Sequence, residues 1–161
     1  AALVFGGDPP STLDYAESFN GTSWTEESDL NTAREQLSGA GTLAAGLAIG
    51  GDPDGTSLTA IVESYNGTSW TEVGDLNTAK SGLASAGSST AAITFGGGGG
   101  TQTTETWDGI SWTEEADLAT GKQQHGGAGT TTLALAFGGG PVGGATTEEW
   151  TRAQNVKVID D

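Results

Sequence analysis

The sequence has no cysteine and no methionine, a single histidine, four prolines and only five basic residues among 161. Without cysteine there can be no disulfide framework, no thiol nucleophile and no Cys-ligated metal. Five bases against 21 acids leave a formal charge of −16. Such a chain repels phosphate backbones and anionic headgroups, so neither nucleic acid nor a membrane surface is an expected partner. No apolar run approaches the ~20 residues that a spanning helix needs. No secretory signal precedes Ala1, and the missing Met reads as a processed start or as a piece of something longer. Apolar content is low at 34%, and 28 residues are glycine. In a non-repetitive chain that profile leans towards disorder.

What is present argues for order. Five Trp, four Phe and two Tyr recur at matching places, and large aromatics bury enough area to compensate for small neighbours. Aligned on an acid two places before an aromatic, ESFNGTSWTEESDLNTAR (17–34) returns as ESYNGTSWTEVGDLNTAK (63–80) and as ETWDGISWTEEADLATGK (105–122), and a truncated copy starts at Glu148. The first two agree at 14 of 18 positions, and the spacings are 46, 42 and 43 residues. That period is the length of a propeller blade of four strands.

Each unit reads as four short strands. The first is small and glycine-rich (37–42, 83–89, 125–130). The second is apolar and ends at Gly6-Gly7, Gly50-Gly51, Gly96-Gly97 or Gly138-Gly139. Its continuous apolar run suits a strand covered on both faces. The third leads into Phe19, Tyr65, Trp107 or Trp150, and the fourth carries Trp24, Trp70 or Trp112. Between them Asn20-Gly21, Asn66-Gly67 and Asp108-Gly109 predict type I′ hairpins. Acids such as Glu26, Glu27, Asp29, Glu72, Glu114 and Glu115 fit an outer edge strand that discourages pairing with other molecules. The small strands therefore belong inside the wedge and the charged ones outside.

Gly-Gly, an aromatic 11 to 15 residues on, a Trp five later and then a base resemble the kelch repeat over nearly the whole chain. The NGTSWTE…DLNTA wording resembles kelch-like repeat proteins of marine bacteriophages, of the virion-appendage or tail-fibre type. The hairpin between aromatic and Trp is shorter than usual for kelch, and the inner strands are richer in small residues. The resemblance implies an all-β, kelch-like β-propeller of four-stranded antiparallel blades, about four in this chain. One repeat domain spans 1–161: a partial blade 1–29, blades 30–75 and 76–117, and a last blade with a C-terminal strand over 118–161. The chain enters at a second strand, and VKVID (156–160) alternates like a strand that either ends the last blade or supplies the missing inner one. The strand count comes to about 15.

No residue pattern points to catalysis or to a cofactor. His125 has no second His or Cys beside it and stands where neighbouring copies place Leu37 and Leu83. No serine sits in a nucleophile elbow. Asn20-Gly21-Thr22 and Asn66-Gly67-Thr68 are sequons, but Asp108 in the third copy keeps the turn and abolishes the sequon, so turn chemistry is their common role. Asp52-Pro53-Asp54-Gly55 lacks the alternating oxygens and distal Glu of an EF-hand loop and reads as a solvated turn. Gly96 to Gly100 is no phosphate loop, because no Lys-Ser/Thr follows.

Arg34, Lys80 and Lys122 occupy one repeat position. They form either a row of cations lining a ligand face or a ladder of ion pairs with acids of the same or adjacent blade, and identical placement favours the ladder. The connections from second to third strand vary (8–12, 52–59, 98–102, 140–145), which makes their face the candidate binding surface, with Asp52 and Asp54 on it. These features lead to three expectations: a structural or adhesive module of a virion appendage that attaches to a host surface, a secreted lectin-like propeller, and an enzyme on a propeller scaffold. The third needs metal ligands that the chain essentially lacks. Expected partners are a cell-surface glycan or other virion proteins, with association between copies as a further expectation, and the expected location is the virion or the cell exterior.

Overall fold

The computed structural model describes residues 1–8, 11–140 and 146–152. They form 14 strands in four antiparallel meanders and no helix. The first sheet joins β1 (Ala2–Gly7), β2 (Leu13–Phe19) and β3 (Trp24–Glu26). In the second, β4 (Ser38–Thr42), β5 (Ala45–Ile49), β6 (Val62–Tyr65) and β7 (Trp70–Glu72) lie in chain order. The third repeats this with β8 (Ala84–Ser88), β9 (Ala91–Phe95), β10 (Thr104–Trp107) and β11 (Trp112–Glu114). The fourth holds β12 (Gly126–Gly129), β13 (Leu133–Phe137) and β14 (Thr147–Thr151). The stretch 156–160 lies outside the described residues.

The predicted taper is present. β4, β8 and β12 approach one another at the inner edge, and small residues make this possible. The Ser85 hydroxyl of β8 lies 2.7 Å from Ser38 Oγ and 2.7 Å from the Gly39 carbonyl of β4. A side chain on Gly127 would begin 2.9 Å from the Ser85 carbonyl. Larger residues would therefore push the sheets apart where the wedge is narrowest.

Between sheets the apolar side chains divide into three cores. Leu47, Ile49 and Val62 of the second sheet meet Ala92, Trp107 and Trp112 of the third. Ile93 and Phe95 of the third meet Ala134, Ala136 and Trp150 of the fourth. Ala16 and the partly buried Leu3 and Phe5 of the first meet Tyr65 and Trp70 of the second. The second and third sheets thus send large aliphatic or phenyl groups forward and present an aromatic pair backward. The aromatic pairs are cross-strand neighbours, Tyr65 opposite Trp70 at 4.9 Å and Trp107 opposite Trp112 at 5.4 Å between centroids.

The hairpins differ from type I′. The loops run over four residues, 20–23, 66–69 and 108–111, and only their glycines have positive φ (104°, 90° and 97°). The reason is side-chain chemistry. Asn20 Oδ1 accepts N–H bonds from Thr22 and Ser23 at 2.9 and 3.0 Å, and Asn66 and Asp108 repeat the pattern. The carboxamide or carboxylate closes the turn, so the residue that bears it stays out of the left-handed region. Asn and Asp are interchangeable here because the two backbone bonds need only the shared acceptor oxygen, and Asn20 adds a bond from its Nδ2 to Ser23 Oγ at 3.2 Å; the backbone bonds lower the Asp108 pKa.

Candidate functional site

The Gly-Gly, basic and acidic repeat positions form one device that joins neighbouring sheets. Gly7, Gly51 and Gly97 donate their N–H to the carbonyls of Arg34, Lys80 and Lys122 at 2.9, 2.7 and 2.8 Å. The preceding Gly50 has φ 61°, and a Cβ there would lie 2.6 Å from the Lys80 carbonyl. Glycine is required by both conformation and contact. With its main chain held by one sheet, each base sends its side chain to the next. Arg34 Nη2 lies 3.0 Å from Glu63 Oε1, and its Nη1 donates to the carbonyls of Gly50 and Ile61 at 2.7 and 2.8 Å. Lys80 Nζ lies 3.0 Å from Glu105 Oε1, outside hydrogen-bond alignment. Lys122 Nζ is 3.9 Å from Glu148 and donates to the carbonyl and hydroxyl of Thr146.

Arg34, Lys80 and Lys122 are 0%, 1% and 0% exposed. They are therefore buried rungs of a ladder, and they do not line a ligand face. Burial lowers the Arg34 pKa, with Glu63 opposing the shift. The acid end is equally built. Asn31 donates its backbone and side-chain N–H to Glu63 Oε2, both at 2.8 Å, and Asn77 does the same for Glu105 at 2.8 and 3.0 Å. Ala119 and Thr120 supply only backbone donors to Glu148, which fits the third copy's change from Asn to Ala. Sequence reasoning missed Glu63, Glu105 and Glu148 as partners, although their recurrence in every copy was the available signal. Glu17 holds the same place in the first sheet and is exposed, without a basic partner among the described residues.

Two expected edge acids also join sheets. Glu27 accepts from Ser18 of its own sheet at 2.6 Å and from Tyr65 of the next at 3.0 Å. These bonds lower the Glu27 pKa and help burial raise that of the Tyr65 phenol. Glu115 accepts from Thr106 at 2.8 Å and from Arg152 of the fourth sheet at 2.6 Å.

Where they are described, the variable connections share a face with the links between sheets; their residues 9–10 and 141–145 lie outside the described residues. Glu35 bridges Asp52, Gln123 bridges Gly140, and Thr12 Oγ1 donates to the Pro53 carbonyl at 3.1 Å. Asp52 organises its own loop instead of offering a free carboxylate. Its Oδ1 accepts backbone N–H bonds from Asp54, Gly55, Thr56 and Ser57 at 2.7–3.2 Å. Asp54 is exposed and is bonded to Thr56 and Ser57, which lowers its pKa. Beside them the Glu35 carboxyl is raised by its hydrogen bond with Asp8 and then by burial. Among the described residues no cluster of His, Cys, Asp or Glu is arranged to hold a metal.

His125 takes the place of Leu37 and Leu83. Side chains on Gly6, Gly50 and Gly96 would meet Leu37, Leu83 and His125 respectively. Both of its ring nitrogens are buried without a hydrogen-bond partner, and burial followed by repulsion from Lys122 lowers its pKa. A lowered folded pKa means that wild-type stability is full above the unfolded value of ~6.5 and is lost as pH falls below it, because the unfolded chain binds the proton first. His125→Leu is expected to stabilise by ~1 kcal/mol at pH 7 by removing unsatisfied polar atoms. Its advantage should widen at pH 5, which thermal melts at both pH values will check.

No protein-family model matches the chain, and neither does any curated protein. Among solved structures the chain is similar to YjhT, with a TM-score of 0.75 and 15% sequence identity over 88% of this chain. The match spans 50% of the YjhT chain, and YjhT is a kelch-repeat β-propeller protein. Four meanders with tapered inner strands, joined by repeated inter-sheet clamps, are thus the kelch-type β-propeller fold in an arc half as long as that chain.

Proposed function

We propose that this chain is a non-enzymatic structural and adhesive module, in which rigid blades present short polar loops and repetition supplies avidity. One observation carries the reading. The groups with the most chemical potential, the buried cations and Trp70 and Trp112, are used to hold sheets together. The surface that varies between copies consists of small polar loops such as 52–59, already ordered by Asp52. A lectin-like propeller with one Trp-lined pocket per blade is the second reading, and the burial of Trp70 and Trp112 weighs against it. Resemblance of the NGTSWTE…DLNTA wording to bacteriophage proteins favours a virion appendage as the setting and a host-surface glycan or another virion protein as the partner.

The test is binding of the chain, displayed multivalently on beads, to a broad glycan array and to bacterial surfaces. Saturable retention that weakens when 52–59 is replaced by a Gly-Ser loop is the expected result. A flat response in both formats would sink the adhesive reading and the lectin reading together.

A further inference from the structure

A guanidinium presents two donor arms and an ammonium a single centre, and the three rungs of the ladder differ accordingly. Arg34 fills two seats. Its Nη2 lies 3.0 Å from Glu63 Oε1, and its Nη1 donates to the carbonyls of Gly50 and Ile61. The matching residues of the next rung are Glu105, Gly96 and Thr103, and those of the last are Glu148, Gly138 and Thr146. The main chain bears out the match, since Gly50, Gly96 and Gly138 donate their N–H to the carbonyls of Ile61, Thr103 and Thr146 at 3.0, 2.9 and 3.2 Å. Each lysine fills one seat only. Lys122 Nζ takes the carbonyl seat, bonded to the Thr146 carbonyl and hydroxyl, and stays 3.9 Å from Glu148. Lys80 Nζ takes the carboxylate seat, 3.0 Å from Glu105. Its Nζ and the Thr103 hydroxyl are then buried without a hydrogen-bond partner among the described residues. Lys80 is 1% exposed, so bulk solvent does not satisfy it.

We propose that the Lys80 rung binds one internal water molecule, seated where Arg34 Nη1 stands in the rung before it. Buried waters typically make about three hydrogen bonds to polar groups that the protein leaves unpaired. Lys80 Nζ and the Thr103 hydroxyl donate to the water oxygen, and the water donates to the Gly96 and Thr103 carbonyls. The chemistry of the seat selects a neutral ligand. Two carbonyl oxygens and the Glu105 carboxylate repel an anion, and the Lys80 ammonium repels a metal cation. A molecule that both donates and accepts satisfies every group. The seat matches one guanidinium nitrogen, so it suits a single heavy atom. Residue pairing across the repeats agrees: the arginine goes with Ile61, which has no hydroxyl, and each lysine goes with a threonine. The site lies between the second and third sheets, away from both flanks of the array.

High-resolution crystallography of the chain, with magnetic relaxation dispersion of the water oxygen in solution, tests this. The expected result is one water bonded to Lys80 Nζ and Thr103 Oγ1. Lys80→Arg should displace it, so that the number of long-lived waters falls by one while circular dichroism stays unchanged. Lys80→Arg with Thr103→Ile reproduces the Arg34 rung in full and should lose the same water, even if the single variant packs poorly against Thr103. Lys80 Nζ bonded directly to Thr103 Oγ1, in the manner of Lys122 and Thr146, overturns the proposal. An unchanged number of long-lived waters in the double variant overturns it too.

Discussion

Glu63→Ala is expected to cost about 3–5 kcal/mol, because it strands the Arg34 guanidinium in a site that is closed to water. For a domain of this size that lowers the melting temperature by on the order of 10 °C. The loss should also be local. In a repeat array each unit is stabilised through its nearest neighbours, and Glu63 joins the second sheet only to the link that follows the first. Amides of β1 to β3 are therefore expected to exchange much faster in the variant, while β8 to β11 change little. The double change Arg34→Met with Glu63→Leu removes both charges and should recover most of the loss, since buried pairs replaced by apolar groups are often neutral or better. Denaturant titration of the three variants checks this. Equal instability of single and double variants would mean that the clamp acts through Asn31 and the backbone carbonyls instead.

Trp70→Ala should be comparably damaging, at about 3–5 kcal/mol, since it empties the core between the first and second sheets. Trp24→Ala, with the same seven-residue wording around it, should cost no more than about 1 kcal/mol in dilute chain, because half of its surface already faces solvent. Thermal unfolding of both at low protein concentration measures the contrast. If the two losses prove similar, the Trp in this hairpin stabilises its own sheet through the Phe19 or Tyr65 pair, and packing between sheets matters little.

Some of the molecule was legible before any coordinates. Local chemistry that repeats with the same meaning in each copy can be read from one chain: Gly-Gly at a strand end, an Asn or Asp opening a hairpin, a small inner strand. The strands fell where the wording placed them, and β4, β8 and β12 are innermost as their size demands. Other features resisted for definite reasons. Asn-Gly signals a tight turn but does not say whether the backbone alone closes it, and here the Asn side chain adds two bonds to the one from Asn20 N–H to the Ser23 carbonyl. A row of bases on repeats can be a surface or a ladder; identical placement favours the ladder, but the direction of each side chain depends on where the chain leaves each sheet, and its burial shows only in the structure. Glu27 and Glu115 looked like solvent-facing edge acids, and each instead takes a hydrogen bond from the next sheet.

The division between sequence and tertiary structure is clearest at the tryptophans. By itself the sequence determined the unit: its length, its strands, its inner and outer edges and the residues that every copy must keep. Those properties depend on contacts within some forty residues, which each repeat carries in full. Only the tertiary structure decided what each unit meets. Trp24 and Trp70 stand in the same NGTSWTE context, yet one is 52% and the other 6% exposed. Burial in a stacked array belongs to the neighbour as much as to the residue, so identical wording becomes core within the arc and open flank at its end.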